Sequence, residues 1–356
     1  MKKIISLSLA LILASVVLAS CEKQEESKSV TDVNDNALSI VTTIFPEYDW
    51  VRNIAGDKAD SMEITMLLDN GVDLHSYQPT ADDIVKISNA DIFIYVGGES
   101  DGWVDDALKN ATNKNMKVIN LLEVLGDSVK AEETVEGMQE EEHEHEHGES
   151  DEEHEHDESD EEREHDESDE EHEHEEEVEY DEHVWLSLKN AEILCKSISS
   201  AMQEADPENK ETYASNSTEY IKKLSDLDGE YKKAVNAAAR KTVLFGDRFP
   251  FRYLVDDYGL SYYAAFVGCS AETEASFETI SFLAKKVDEL KLPCVLTIEG
   301  TQHKIAETIV QNTSEKNQKI LTMDSMQATT SEDAKNGTTY LSAMTNNLSV
   351  LKEALS

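Results

Sequence analysis

Residues 71–80 read GVDLHSYQPT. An apolar run, residues 62–68 (MEITMLL), precedes them, reads as a strand and ends in the turn residues Asp69, Asn70 and Gly71. After them Pro79 and Thr80 open an acidic, helix-like segment, residues 81–89. His75 is thus expected on a loop that leaves a strand and enters a helix, where open α/β sheets gather their ligands. A second histidine, His183, stands in the run DEHVW at residues 181–185, and a tract holding eight more lies between the two. A lone loop histidine is ordinarily a solvated group, so the weight of a metal reading rests on the rest of the chain.

Working outward, strand and helix alternate. Residues 38–43 are apolar and β-branched, residues 44–54 read as a helix, and the strand at 62–68 and the helix from Ala81 follow. A strand at 91–96 (DIFIYV), a break at Gly97 and Gly98, a helix to about Ala111 and a short strand at 116–120 complete this half. Strands at 242–245, 262–266, 294–298 and 320–323, each followed by a helical stretch, repeat the pattern later, and a helix near 338–355 closes the chain. Such alternation gives an α/β fold with mainly parallel sheets. Between the halves runs a helix from Pro207 to Ala238. Its Tyr220, Leu224, Leu227, Tyr231 and Ala234 recur at spacings of four and three, one continuous apolar stripe. At 1.5 Å per residue it is roughly 45 Å long, a rigid spine between two lobes. The expected organisation is a signal segment at 1–20, a tether at 21–37, an N-terminal lobe at 38–206 that contains a disordered loop at 140–182, a linker helix at 207–240 and a C-terminal lobe at 241–356.

The chain of 356 residues carries a net charge of −45, which repels a phosphate backbone and excludes nucleic acid as a partner. Lys2 and Lys3, the apolar stretch 4–17 and the sequence LASC at 18–21 form an export signal that ends in a lipidation motif. Cys21 is the expected lipid attachment point, which anchors the protein on the outer face of a bacterial membrane. Residues 22–36 are polar and lack aromatics, as a flexible tether does. Of the other cysteines, Cys195, Cys269 and Cys294, an odd number, a Cys269–Cys294 disulfide and buried free thiols are both compatible with the sequence.

Residues 140–182 are a different material. They hold 28 Asp or Glu against the single Arg163, or −27 of the total −45, and no Leu, Ile, Phe or Trp. Such a segment cannot bury a core and is expected to be disordered, built on a degenerate acidic repeat of about ten residues. His143, His145, His147, His154, His156, His165, His172 and His174 alternate with its carboxylates. They can hold metal loosely at several places, an antenna beside a tighter site, whereas a merely solubilising loop needs no histidine.

A transition-metal site needs several N, O or S ligands converging at about 2 Å. Asp247 and Asp324 each follow a strand of the second half, as His75 does in the first. If the halves face each other, His75, His183, Asp247 and Asp324 can close on one ion, and two imidazoles with carboxylates suit Zn(II), Mn(II) or Fe(II). An Asp after a strand is more often a helix cap or turn residue.

With these residues in view, about residues 38–356 resemble the metal-binding lipoproteins of ABC transporters that capture zinc or manganese. The matching stretches include TIFP at 43–46, GVDLH at 71–75, DEHVWL at 181–186, the YL and YGL pairs at 253–254 and 258–260, EAS at 274–276 and LTMD at 321–324. The resemblance implies two pseudo-symmetric α/β lobes joined by one long helix, with the metal in the cleft between them. It implies His75, His183 and Asp324 as ligands, with an acidic His-rich loop just before the second histidine in zinc members. At the third ligand position, five residues before Tyr253, this chain has Arg248, which stays protonated and cannot ligate. Asp247 is the nearest substitute, with Glu299 and His303 as alternatives. Zn(II) is the expected transported ion and Mn(II) the alternative. The expected partners are an ABC permease and its ATPase, and the expected state is a monomer. No P-loop occurs in the sequence, HExxH is matched only by HEHEH at 143–147 inside the low-complexity acidic tract and GxSxG only by GESDG at 98–102, so no enzyme is expected. A metal-dependent hydrolase or a surface adhesin remains the rival class.

Overall fold

Residues 39–120 lay down one parallel sheet. Its strands are β1 (Ser39–Thr42), β2 (Glu63–Met66), β3 (Ile92–Tyr95) and β4 (Lys117–Asn120), ordered β2-β1-β3-β4. β3 (IFIY) is buried at every residue, as a parallel strand covered on both faces must be. The crossover helices are α1 (Phe45–Ala55), α2 (Ala81–Asn89) and α3 (Val104–Lys109), followed after β4 by α4 (Leu121–Leu125). Two long helices come next, α5 (Leu188–Ala205) and α6 (Lys210–Ala237). The second sheet holds β5 (Thr242–Phe249), β6 (Ser261–Val267), β7 (Cys294–Thr297) and β8 (Lys319–Thr322), again all parallel and ordered β6-β5-β7-β8. Its helices are α7 (Arg252–Tyr258), α8 (Phe277–Leu290), α9 (Lys304–Asn312), α10 (Ser331–Lys335) and α11 (Tyr340–Ala354). The second lobe thus repeats the strand order of the first, and in each the first strand has neighbours on both sides.

This computed structural model describes residues 37–139, 179–270, 274–300 and 302–356. The signal segment, Cys21, the tether and the eight histidines of the tract lie outside the described residues. The described residues from Leu38 to Ser356 form one compact unit. Among the described residues no helix is long and apolar enough to cross a membrane.

Three expectations shift. The acidic loop ends before residue 182, because Tyr180 bridges Ala131 antiparallel, Asp181 N–H donates to the Lys130 carbonyl, and Glu182 is buried. Residues 130–139 do not stay with the first lobe. Gln139 N–H donates to Ala265 on β6, and Lys130 N–H donates to the Tyr253 hydroxyl. β5 runs to Phe249 rather than Phe245, with a register shift between Phe245 and Arg248. At Gly246, within that shift, a Cβ would fall 2.6 Å from Ala306 Cα, so only glycine lets α9 lie against the strand.

The spine, α6, has 28 residues, about 42 Å at 1.5 Å per residue. Tyr213, Ser217, Tyr220, Leu224, Leu227, Tyr231 and Val235 are its buried stripe. One hydrophobic core runs from Ile40 in β1 through Leu224 and Tyr231 to Leu351 in α11, so the lobes share apolar contacts along the spine. A second, smaller core under α8 and α9 belongs to the second lobe.

Asp49 ties three of these helices together. It is 6% exposed. Its Oδ2 accepts from Tyr340 N–H (3.1 Å) on α11, from the Tyr220 hydroxyl (3.2 Å) on the spine and from Asn53 (3.0 Å) on its own helix. Burial raises its pKa to about 6 against these donors. An acid with a raised folded pKa takes up a proton on folding, so its contribution is full below pH 3.8 and is lost as pH rises through about 6. Asp49→Asn keeps an acceptor for Tyr340 and removes the buried charge. The variant's unfolding free energy, from denaturant titration, should therefore gain on the wild type between pH 4 and pH 7, by up to about 3 kcal/mol at 1.36 kcal/mol per pH unit. A difference that stays flat over that range would show that Asp49 does not titrate there.

Candidate metal centre

His75 lies in a single 3-10 turn, Leu74–Ser76, after β2. Asp73 caps the turn, its Oδ1 accepting from His75 N–H at 3.0 Å. The His75 Nδ1 stands 2.8 Å from the Ser100 hydroxyl and 3.4 Å from Glu182 Oε2. Ser100 is held in turn, its N–H donating to Glu182 Oε1 at 2.9 Å. Gly98 makes room for that carboxylate: it has φ +83°, and a Cβ there would fall 2.3 Å from Glu182 Oε1.

His183 is fully buried. Asp181 Oδ1 accepts its backbone N–H at 2.8 Å and lies 2.9 Å from its Nδ1. Both imidazoles are thus engaged through Nδ1 and turn Nε2 toward each other, 3.2 Å apart, with ring planes at 57°. Two nitrogens bound to one tetrahedral zinc at about 2.0–2.1 Å stand about 3.3 Å apart. The pair therefore has the spacing of two ligands of one ion, and the carboxylate behind His183 is the outer-shell partner that metal-bound histidines use.

The electrostatics push the two rings in opposite directions. Burial, then the neighbouring His183, lowers the His75 pKa to about 3, which leaves its imidazole neutral at pH 7. Burial also works against a charged His183, yet the carboxylates of Asp181, Glu182 and Asp73 raise its pKa on balance. Burial raises the pKa of the Glu182 carboxyl, and Glu182 Oε2 has no hydrogen-bond partner among the described residues.

A third atom completes the cluster. The Cys269 sulfur, just past the end of β6, lies within 4.8 Å of a ring nitrogen of each histidine. A Cβ at Gly268 would fall 2.9 Å from His183 Cε1, so glycine lets this loop reach the imidazole. Glu132 Oε1 accepts the Cys269 N–H at 3.1 Å. His75, Ser100, Glu132, Tyr180, Glu182 and Cys269 line a cavity of about 290 Å³ beside the cluster.

The proposed carboxylate ligands lie elsewhere. Among the described residues, neither Asp247 nor Asp324 offers an atom to the cluster. Asp324 Oδ1 accepts from Met326 N–H at 2.8 Å, and burial, then Glu299, raises its pKa to about 6. Asp247 Oδ1 accepts from Arg248 N–H at 2.9 Å, a local turn bond within β5. It lines a separate cavity of about 800 Å³ with Glu299 and His303. Both Glu299 oxygens are taken, by Ser325 N–H (2.7 Å) and the Ser325 hydroxyl (2.5 Å). Arg248, at the third ligand position of the resemblance, pairs with Asp73 at 2.6 Å. Cys195, Cys269 and Cys294 are free thiols, so no Cys269–Cys294 disulfide forms.

The structure brings the expected His75 and His183 together and adds Cys269, which the sequence reading had not placed beside them. The signal was present: Gly268 and Cys269 follow a strand directly, the same position that marked His75. The odd cysteine count drew attention to disulfides instead.

Residues 40–354 match the family described as zinc-uptake complex component A, periplasmic (ZnuA). The chain is 31% identical over 353 residues to the zinc-binding lipoprotein AdcA of Streptococcus pneumoniae strain R6, covering 99% of this chain and 61% of AdcA. It therefore spans about three fifths of the length of the first curated relatives it matches. The high-affinity zinc uptake system protein ZnuA of Bacillus subtilis is 29% identical over 347 residues, covering 98% of this chain and 97% of that one. Among solved structures, the Zn(II)-bound ZnuA-like domain of S. pneumoniae AdcA superposes with a TM-score of 0.64 at 27% identity, covering 90% of this chain and 99% of that domain.

If Asp181 orients His183, Asp181→Asn should weaken divalent-metal binding by roughly 10–100-fold, the usual effect of losing an outer-shell carboxylate. Circular dichroism should stay unchanged. Unaltered affinity would mean that the Asp181–His183 contact serves the fold alone.

Proposed function

This chain belongs to the zinc-uptake complex component A family, and from that premise we propose that it captures Zn(II) outside the cytoplasm and delivers it to an ABC importer. The observation that carries this reading is the His75–His183 pair, a fully buried imidazole facing one that is 10% exposed, with Nε2 atoms 3.2 Å apart and Nδ1 atoms already engaged. Neutral imidazole suits zinc better than manganese, whose preferred ligands are carboxylate, carbonyl and water. His75 and His183 are the ligands we assign. Asp324 and Asp247 enter only if metal binding draws them from their present hydrogen bonds.

The rest of the reading follows from the expected anchor. A lipid on Cys21 holds the protein, as a monomer, on the outer membrane face. The loaded form docks on the permease, whose ATPase partner drives transport. The role is capture and release without chemistry, in keeping with relatives named for zinc binding and uptake. The eight histidines of the acidic tract raise the local ion concentration beside the cleft and release it as they protonate near pH 6.5.

Competitive titration of the lipid-free chain with Zn(II) and Mn(II) tests this. One tight zinc per chain is expected, with manganese weaker. His75→Ala and His183→Ala should each abolish the tight event. Deleting residues 140–178 should leave it and remove a weak, multi-ion phase. Tight binding that disappears with the tract would contradict the cleft site, and tight manganese with weak zinc would reverse the choice of ion.

A further inference from the structure

Resting on that zinc reading, we propose that Cys269 is the third protein ligand, its thiolate closing a two-nitrogen, one-sulfur site with His75 and His183. The cluster of these three residues is the one that, among the described residues, brings ligand atoms together within 4.8 Å. A tetrahedral zinc with Zn–N near 2.05 Å and Zn–S near 2.3 Å places sulfur about 3.6 Å from each nitrogen, inside that limit. Gly268 is the enabling residue, since any side chain there would strike the His183 ring.

The assignment also accounts for Arg248. A guanidinium cannot bind a cation, so the third ligand must come from another loop. Arg248 links the loops that supply the ligands. Its Nη2 donates to Asp73 at 2.6 Å, two residues before His75, and its Nη1 donates to the Ser270 carbonyl at 3.3 Å, next to Cys269. The cation is paired and acts as a tie between lobes. On binding, the Nε2–Nε2 hydrogen bond breaks and its proton leaves the facing nitrogens, two Zn–N bonds and one Zn–S bond form, and the thiol proton leaves to solvent, because a coordinating dication deprotonates a thiol outright. The fourth position faces the cavity lined by Glu132 and Glu182, where a carboxylate or a water completes the shell. A thiolate ligand selects zinc, cobalt and cadmium over manganese.

The test loads Co(II) into the full chain, tract included. The tract has no cysteine, Cys21 is changed to serine in the tested chain, and Cys195 and Cys294 are 0% and 4% exposed in the core, so a thiolate-to-cobalt charge-transfer band reports on Cys269. One equivalent of Co(II) should give that band with tetrahedral visible absorption, and Zn(II) should displace it. Cys269→Ser, folded by circular dichroism, should lose the band and weaken zinc by more than the roughly 10–100-fold of an outer-shell change. A tight ion without the band, or unchanged zinc affinity in Cys269→Ser, overturns the cysteine assignment and leaves the capture reading standing. No tight ion in the wild type overturns both.

Discussion

Two imidazoles, 108 residues apart in sequence, one fully buried and one nearly so, face each other Nε2 to Nε2 at 3.2 Å. Two imidazolium rings cannot share that space, so the arrangement exists only while at most one ring is charged. The surroundings enforce this. Burial keeps His75 neutral, and Asp181 orients His183 from behind. Each Nδ1 is engaged elsewhere, which leaves the two Nε2 atoms, now bonded only to each other, as the pair a metal ion would take. A dication between them satisfies both lone pairs at once, and that is the chemistry of capture rather than of turnover.

The pair can hold its geometry because the lobes are bound together away from it. Trp185, two residues after His183, donates from Nε1 to the Ser325 carbonyl of the second lobe at 2.8 Å, and its own carbonyl accepts from the Tyr340 hydroxyl at 2.6 Å. The spine adds Tyr231, whose hydroxyl donates to the Met344 carbonyl at 2.6 Å. Arg248 and Asp73 pair at the cleft itself. A continuous core joins these ties, so the cleft is preorganised, and ordering two lobes around the ion costs little when it arrives.

Much of this was legible in the sequence for a physical reason. Strand and helix periods differ, and each strand ends in turn residues, so the alternation and the long spine stood out. The position of His75 after a strand followed from the same signals. Three things were hidden. The β5 strand continues through Gly246 because α9 packs on it, a tertiary contact with no local signature. Residues 179–182 look like the acidic tract by composition, yet Asp181 and Glu182 are buried against the imidazoles they support. Cys269 joins the histidines only once β6 is placed, since nothing near it in sequence is a ligand. Asp324 follows β8 as expected and accepts from Met326 N–H, whereas Asp247 lies inside the longer β5 and accepts from the Arg248 and Ile298 N–H groups.

The central claim is that one zinc sits between the facing imidazoles. The most direct measurement is anomalous diffraction at the zinc edge from crystals of the chain loaded with one equivalent of Zn(II). The account predicts a single strong peak within bonding distance of His75 Nε2 and His183 Nε2. A crystal in which the metal peak lies elsewhere, with the two imidazoles still hydrogen-bonded to each other, would contradict it.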